Sequence, residues 1–262
     1  MTQNVTVEAC SASTLVPQWL LQHLEGGTNN LMIIYPNETV REEVLKHIST
    51  VCGAIDSSRH TTLNRLCTSL QMDFRFPVIV PRSTVGIVQV NKLFSHAASE
   101  FRFPRMHPDA SRKWSLSKTE RLLQLHRFST RHDIISKWED DPGVSEADRL
   151  LSSFKKSNLL HEHHVMEELT NALLDSAIQI PYSLSTVEGI LLLNHPPDFY
   201  SNEKTFLTAL ASRVPIHHLC VPGSFRLGLH GAYIDDEINY VKSEEEVPNW
   251  VPKHTLSLML ED

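Results

Sequence analysis

The sequence contains few of the residues that cross-link small scaffolds. Only four of its 262 residues are cysteines, they lie far apart, and no two form a CxxC pair; they are Cys10, Cys52, Cys67 and Cys220. This usage argues against a zinc ribbon and against a disulfide framework, and it is typical of proteins in a reducing compartment. We therefore predict a cytoplasmic protein.

Long hydrophobic runs are also lacking. The apolar run at residues 189–193 is far too short to span a bilayer, and residues 1–9 have neither the basic nor the apolar part of a secretory signal. We therefore expect no membrane-spanning segment and no secretion. Hydrophobic residues make up 41% of the sequence and charged residues 21%, an ordinary globular composition with enough apolar mass for a core.

Charge is distributed unevenly along the chain. The net charge of −7, taken as a total, argues against a nucleic-acid binder. Residues 59–137, however, contain 14 basic and five acidic residues, a net charge of +9 that leaves −16 for the remainder. A basic segment attracts a phosphate backbone by counterion release whatever the sign of the total charge. The alternative is a solvated helical face that pairs with the acidic remainder.

The first third of the chain alternates between strand and helix patterns. Residues 5–9 and 31–35 are apolar runs typical of buried strands, and each is followed by a helical pattern. Asn37 is the predicted N-cap of the second helix, with Glu38 in its first turn. Strands that alternate with helices of this length favour right-handed crossovers and a parallel sheet.

The middle of the chain is mostly helical in pattern. Helices are predicted at residues 62–70 and 84–98, and Ser117 with Glu120 forms a capping box before a third, long helix. Strand patterns return at residues 187–193, 216–219 and 254–260. We therefore predict an α/β core formed by residues 1–61 and 177–262, with residues 62–176 as a large, basic helical insertion.

The order of several segments resembles that of superfamily 1 helicases. The apolar run at residues 187–193 lies where the Walker B strand would be, and Asn194 and His195 occupy its Asp-Glu positions. Residues 10–18 occupy the place of the phosphate loop but contain neither a glycine nor GK[ST]. Between these segments, the Pro36-Asn37 pair after a strand and residues 60–66 (HTTLNRL) resemble two further helicase motifs.

Over about residues 1–220, the chain is most similar to an inactivated N-terminal domain of the AddB-type helicase–nuclease subunits. The resemblance implies a P-loop-NTPase-like parallel sheet flanked by helices. Magnesium needs anionic oxygen ligands, which the Asn194–His195 pair does not supply. A loop without glycine or lysine cannot wrap phosphates or reach their terminal oxygens. We therefore expect no ATP hydrolysis, no catalytic residue and no cofactor.

The resemblance also implies a non-catalytic DNA-binding or scaffolding role in double-strand-break repair and recombination. A helicase partner would then supply ATP hydrolysis, or a nuclease domain would lie elsewhere. Members of the family continue into a nuclease domain that this sequence lacks, so we expect a fragment or a shortened relative and do not transfer nuclease activity. The predicted phosphate contacts lie in the insertion and are Arg102, Arg105, Arg112, Lys113, Arg127 and Arg131.

The tetrad Phe-Arg-Phe-Pro occurs twice, at residues 74–77 and 101–104. An arginine between two aromatic rings can hold a phosphate while a ring stacks on a base. Aromatic residues in such loops more often serve as anchors that pack against the protein. Both interpretations are open at the level of sequence.

Fifteen histidines raise the question of a metal site. His161 and His164 can share a helix face, but their spacing is not HExxH and no third ligand is evident, so we predict no metal. His217 and His218 are adjacent strand residues that should point to opposite faces. Two rival functions stay open: an unorthodox NTPase or metal-dependent hydrolase that uses Asp198 or the His161–His164 pair, and a purely structural protein-interaction domain.

Overall fold

The structure is a computed structural model that describes residues 5–9, 16–25, 30–76, 84–100, 102–109, 111–132, 140–155, 162–193, 199–220 and 238–240. Within these ranges the strands are β1 (Val5–Ala9), β2 (Leu31–Tyr35), β3 (His60–Thr62), β4 (Gly189–Leu193), β5 (Ile216–Cys220) and β6 (Ile238–Tyr240). The helices are α1 (Gln18–Glu25), α2 (Glu38–Cys52), α3 (Leu63–Asp73), α4 (Thr84–Glu100), α5 (Leu116–His132), α6 (Pro142–Lys155), α7 (Glu162–Leu174) and α8 (Ser201–Ala211). Two 3-10 turns, Ser57–Arg59 and Tyr182–Leu184, come shortly before β3 and β4.

The six strands form one sheet in the order β3-β2-β4-β5-β1-β6, and every pairing is parallel. This confirms the predicted α/β class with a parallel sheet flanked by helices. β3 and β6 are not among the predicted strands, because three residues are too few to show a strand period. The strand predicted at residues 254–260 lies outside the described residues.

Helices α1 and α2 cover one face of the sheet. The connection from β1 to β2 and the connection from β2 to β3 move in the same direction across the sheet. Because such crossovers are right-handed, they place α1 and α2 on the same face. Every residue of β2 and β4 is buried. The apolar core on this face contains Trp19, Leu20, Ile33, Tyr35, Val44, Ile48, Leu191 and Leu193.

Helix α3 lies over the opposite face. Side chains of neighbouring strand residues alternate between faces, so Met32 points away from Ile33 and the α1–α2 core. Met32 lines a pocket together with Leu66 of α3. Phe199 also lies on this side, since its ring meets His218 edge-on with the ring centroids 5.6 Å apart.

Two helix caps anchor the α/β part of the chain. Asn37 is the N-cap of α2, as predicted, and its Oδ1 accepts a hydrogen bond from the backbone N–H of Val40 at 2.9 Å. Thr62 caps α3 through its hydroxyl, which accepts from the N–H of Arg65 at 3.4 Å. The helix predicted from residue 62 therefore begins one residue later, and Thr62 itself belongs to β3.

The chain divides into two compact units. Unit 1 comprises residues 1–74, 170–199 and 207–262, and unit 2 comprises residues 75–169 and 200–206. Unit 2 begins at residue 75, and β3 and α3 belong to unit 1. The assignment of unit 2 as an insertion in a helicase-like core stays a prediction.

The N-terminus of α5 differs from the sequence prediction. The helix begins at Leu116, and Ser115 caps it by accepting the N–H of Lys118 on its hydroxyl at 3.3 Å. The capping box predicted for Ser117 and Glu120 is therefore wrong, since Ser117 lies inside the first turn. Two serines of equal capping propensity stand two residues apart, and packing of the preceding Trp114 selects the first.

Candidate nucleic-acid interface

Four of the predicted phosphate contacts lie on the connection between α4 and α5. We call residues 102–109 and 111–113 the basic loop. The turn at its start is tight, because the N–H of His107 donates to the carbonyl of Phe103 at 2.6 Å and the two residues form an isolated antiparallel bridge. Phe103 is 2% exposed, and the Arg149 guanidinium lies 4.5 Å from the centre of its ring. Phe103 is thus an anchor of the loop and not an exposed stacking platform.

Trp114 closes the basic loop at its other end. The indole is buried, its Nε1 donates to the hydroxyl of Thr119 at 3.0 Å, and its ring packs edge-on against Phe94. The indole also lies near His107, with ring centroids 5.4 Å apart, and near the Lys118 ammonium, 5.5 Å from the ring centre. A satisfied, buried tryptophan of this kind holds the end of the loop in one place.

His107 is the centre of a hydrogen-bond relay inside the loop. Lys118 Nζ lies 2.9 Å from His107 Nδ1 and 3.3 Å from the carbonyl oxygen of Met106. A lysine ammonium only donates, so Nδ1 must accept, and the ring proton sits on Nε2. That proton is donated to the carbonyl of Arg112 at 2.8 Å. The relay joins both halves of the loop to the first turn of α5.

Helix α6 fixes the loop from another direction. The Glu146 carboxylate accepts the backbone N–H of Arg105 at 3.0 Å and that of Met106 at 2.9 Å. The Arg149 guanidinium donates to the carbonyl of Arg102. Backbone groups of the loop are therefore held by charged side chains about 40 residues away in sequence, and the loop's own arginine side chains are left pointing outward.

The side chains of Arg102, Arg105, Arg112 and Lys113 are all exposed on this frame. Arg112 Nε forms an ion pair with Asp109 Oδ2 at 3.1 Å. Hydrogen bonds from the hydroxyl and N–H of Ser111 lower the pKa of Asp109, so its carboxylate is ionised at neutral pH. The loop therefore presents four cations and one carboxylate on a fixed backbone.

The other predicted site residues are not on this loop. Arg127 is half-buried on α5, about 16 Å along the helix axis from Leu116. Arg131 belongs to the same helix, but its side chain lies outside the described residues, as do Asn194 and His195. Sequence analysis did not single out the residues that hold the loop, because each is recognisable only through a partner from another element; they are His107, Trp114, Lys118, Glu146 and Arg149.

A second polar cluster lies where β2 and β3 end. The hydroxyl of Tyr35 forms a hydrogen bond with His60 Nδ1 at 2.7 Å, and both side chains are buried. Burial lowers the pKa of His60 to about 4, helped by the positive charge of Arg41, so the imidazole is neutral. Burial also raises the pKa of Tyr35. The pair is thus a neutral hydrogen bond inside the core.

The same cluster extends to Arg41 and Glu38 of α2 and to residues 62–65. The Arg41 guanidinium donates to the carbonyl of His60 at 2.8 Å, and Glu38 accepts from Thr62 at 2.9 Å and from Arg65 at 2.8 Å. Desolvation raises the pKa of Glu38, but these hydrogen bonds and the two guanidinium charges outweigh it, so the pKa is lowered. The arrangement ties the start of α2 to β3 and the start of α3.

The adjacent histidines of β5 point to opposite faces of the sheet, as predicted. His218 meets Phe199 on the α3 side, whereas His217 lies beside Gly189 on the side of α1 and α2. Burial lowers the pKa of His217 to about 4. The described residues contain no group of three or more His, Cys, Asp or Glu side chains suited to a metal ion. His161 and Asp198 lie outside those residues, and so do the side chains of Glu162–His164.

In the described part of the chain, no helix has the length and apolarity needed to cross a membrane. The sequence matches no protein-family model. It also matches no curated protein sequence.

Proposed function

We propose that this protein is a non-catalytic, helicase-like DNA-binding or scaffolding domain that holds a DNA strand for a partner that hydrolyses ATP. The observation that carries the proposal is the basic loop, in which four exposed cations project from a backbone fixed by buried groups. Lysine and arginine side chains held in this way bind phosphate oxygens without reading base sequence. Arg102, Arg105, Arg112 and Lys113 are the proposed phosphate contacts.

The sheet topology supports the P-loop-NTPase-like part of the proposal. A phosphate loop and a Walker B carboxylate must face the same nucleotide, so the strands that precede them must end at one edge of the sheet. All strands here are parallel, and β5 alone separates β1 from β4. With strands about 4.8 Å apart, the ends of β1 and β4 lie about 10 Å from each other at the carboxyl edge. Residues 10–18 contain neither a glycine nor GK[ST], and Asn194 and His195 stand where the proposal places the Walker B carboxylates, which supports the absence of ATP hydrolysis.

The DNA-binding proposal is tested by fluorescence anisotropy with labelled single-stranded and duplex oligonucleotides over a series of salt concentrations. We expect binding that weakens steeply with salt. The double variant Arg112→Gln/Lys113→Gln should weaken binding to all sequences alike and reduce the magnitude of the salt slope by about 2 for duplex DNA, close to one unit per lost phosphate contact.

A charge-matched variant separates phosphate contacts from net charge. Lys46→Gln/Lys92→Gln removes two exposed lysines, from α2 and α4, and changes the net charge by the same amount. We expect this control to keep the slope of the unaltered protein. Equal effects of both double variants, or no binding at low salt, would contradict the proposed role of the basic loop.

The non-catalytic part of the proposal has its own test. Titration with ATP and magnesium should give neither saturable binding nor phosphate release. Turnover that is lost on Asp198→Asn would instead support the rival NTPase or hydrolase. DNA binding would then need to be measured again with nucleotide present.

A further inference from the structure

A second candidate binding site lies at the edge of the sheet opposite the strand ends discussed above. A pocket of about 360 Å³ opens beside the amino ends of β2, β3 and β4, below α3. Its size is within the range of small-molecule sites. Ligands of open α/β sheets usually bind at the carboxyl edge, so neither the fold nor the helicase resemblance predicts a site here.

The lining of the pocket is rich in hydroxyl groups and contains a cation. Seven of its ten lining residues carry a hydroxyl, one is Arg59, and none is a carboxylate. Met32 and Leu66 supply the apolar surface. The hydroxyls of Ser58, Thr61 and Ser185 already donate to protein acceptors. The other four hydroxyls, with one guanidinium and no carboxylate in the lining, favour an anion with several acceptor oxygens, of which phosphate is the common biological example.

The Arg59 guanidinium is held by one hydrogen bond and keeps other N–H donors for a ligand. Its guanidinium donates to the hydroxyl of Thr186, which also lines the pocket. A guanidinium has five N–H donors, so this bond leaves others for a ligand, and the Thr186 hydroxyl keeps its own proton to donate. Two carboxylates lie outside the pocket lining. Asp56 accepts from the hydroxyl and N–H of Ser58, and these bonds and the charge of Arg59 lower its pKa, so Asp56 shares the field of the guanidinium with any ligand. Asp73 accepts from the N–H of Ser183.

Tyr182 presents an aromatic ring at the same pocket. The side chain is 86% exposed, although the residue begins a 3-10 turn and its carbonyl accepts the N–H and the hydroxyl of Ser185 at 3.1 and 2.8 Å. A large aromatic ring held in solvent by an ordered backbone forfeits the stabilisation of burial. Such rings serve as stacking platforms for nucleic-acid bases, because every base has a flat π face.

We propose that this pocket binds a nucleoside phosphate, with the phosphate on Arg59 and the surrounding hydroxyls and the base stacked on Tyr182. The ligand is either a free nucleotide or one nucleotide of a single strand, which share this chemistry. The site lies wholly in unit 1, whereas the basic loop lies in unit 2, so the inference does not rest on the proposed function.

The test is calorimetric titration of the full chain with deoxyadenosine monophosphate and, separately, with a short oligodeoxyadenylate. We expect saturable binding of the mononucleotide. Tyr182→Ala should weaken it about 5- to 150-fold, the range for loss of one base stack, whereas Tyr182→Phe should leave it unchanged. Arg59→Gln should weaken it at least about tenfold, and Arg59→Lys less, because lysine keeps the charge but not the planar fork. Circular dichroism checks that each variant is folded.

Two further comparisons separate the possible sources and sites. If the oligonucleotide and the mononucleotide bind equally tightly, the ligand is a free nucleotide. If the oligonucleotide binds at least about tenfold more tightly and stays sensitive to Arg59 and Tyr182, the ligand is a strand. Arg112→Gln/Lys113→Gln should leave mononucleotide binding unchanged. If this double variant weakens only the binding of the oligonucleotide, the weakening is assigned to the basic loop and not to the pocket. The inference is overturned if the mononucleotide does not saturate and folded Arg59 and Tyr182 variants bind the oligonucleotide as the parent does.

Discussion

Acidification should destabilise the α/β unit through two buried histidines. His60 in β3 is 3% exposed and His217 in β5 is 6% exposed. Burial lowers the pKa of each to about 4 in the folded protein. In the unfolded chain, both side chains titrate near the ordinary histidine pKa of about 6.5.

The sign and size of the effect follow from these values. Between about pH 6.5 and pH 4, the unfolded state binds more protons than the folded state, so the free energy of unfolding falls as the pH falls. Each histidine then removes on the order of 2 kcal/mol between about pH 7.5 and pH 5, and the two together on the order of 4 kcal/mol. That is a large share of the roughly 5–15 kcal/mol by which a typical domain is stable.

Urea denaturation followed by circular dichroism at the two pH values measures the loss. His60→Gln provides the matched variant, because the glutamine oxygen can still accept from the Tyr35 hydroxyl but does not titrate in this range. It should reduce the acid-induced loss by about half, whatever its effect on stability at neutral pH. His47→Gln changes an exposed histidine of α2 and should leave the full loss in place.

Two results would refute this reasoning. One is a free energy of unfolding that changes by less than about 0.5 kcal/mol per histidine between the two pH values. The other is an equal acid-induced loss in folded His60→Gln and His47→Gln, which would place the titrating groups elsewhere.

Three further predictions concern single residues. Asn37→Ala removes the N-cap of α2 and should lower the free energy of unfolding by about 1 kcal/mol, measured by urea denaturation. Gly53→Ala should lower the free energy of unfolding by about 1–3 kcal/mol in the same assay. Gly53 has φ +76°, and the added Cβ meets no atom within 4 Å, so the cost is backbone strain. A thermal midpoint equal to the parent's would contradict this prediction. Lys118→Met removes the donor to His107 and should speed hydrogen exchange of the His107 amide about tenfold. The control Lys113→Met should leave this exchange rate unchanged. Equal exchange rates in the two variants would show that the relay does not hold the loop.

Local patterns were sufficient to predict much of the fold. The apolar runs that became β1, β2, β4 and β5, the cap at Asn37 and the parallel sheet all follow from interactions within a few residues and from the alternation of strands and helices. The helix start at Ser115 was missed, because the choice between two nearby serines depends on burial of Trp114, a tertiary contact.

The candidate site likewise has features that the sequence shows and features that only the tertiary structure shows. The concentration of basic residues in the middle of the chain is visible in the amino-acid sequence, and so is the absence of glycine and of GK[ST] from residues 10–18, since charge and residue type need no geometry. Only the tertiary structure decides that the loop with four of the six predicted cations has a fixed backbone, because groups from α5 and α6 hold it. The pocket of Arg59 and Tyr182 likewise exists only after folding, when a parallel sheet brings together strand ends more than 100 residues apart.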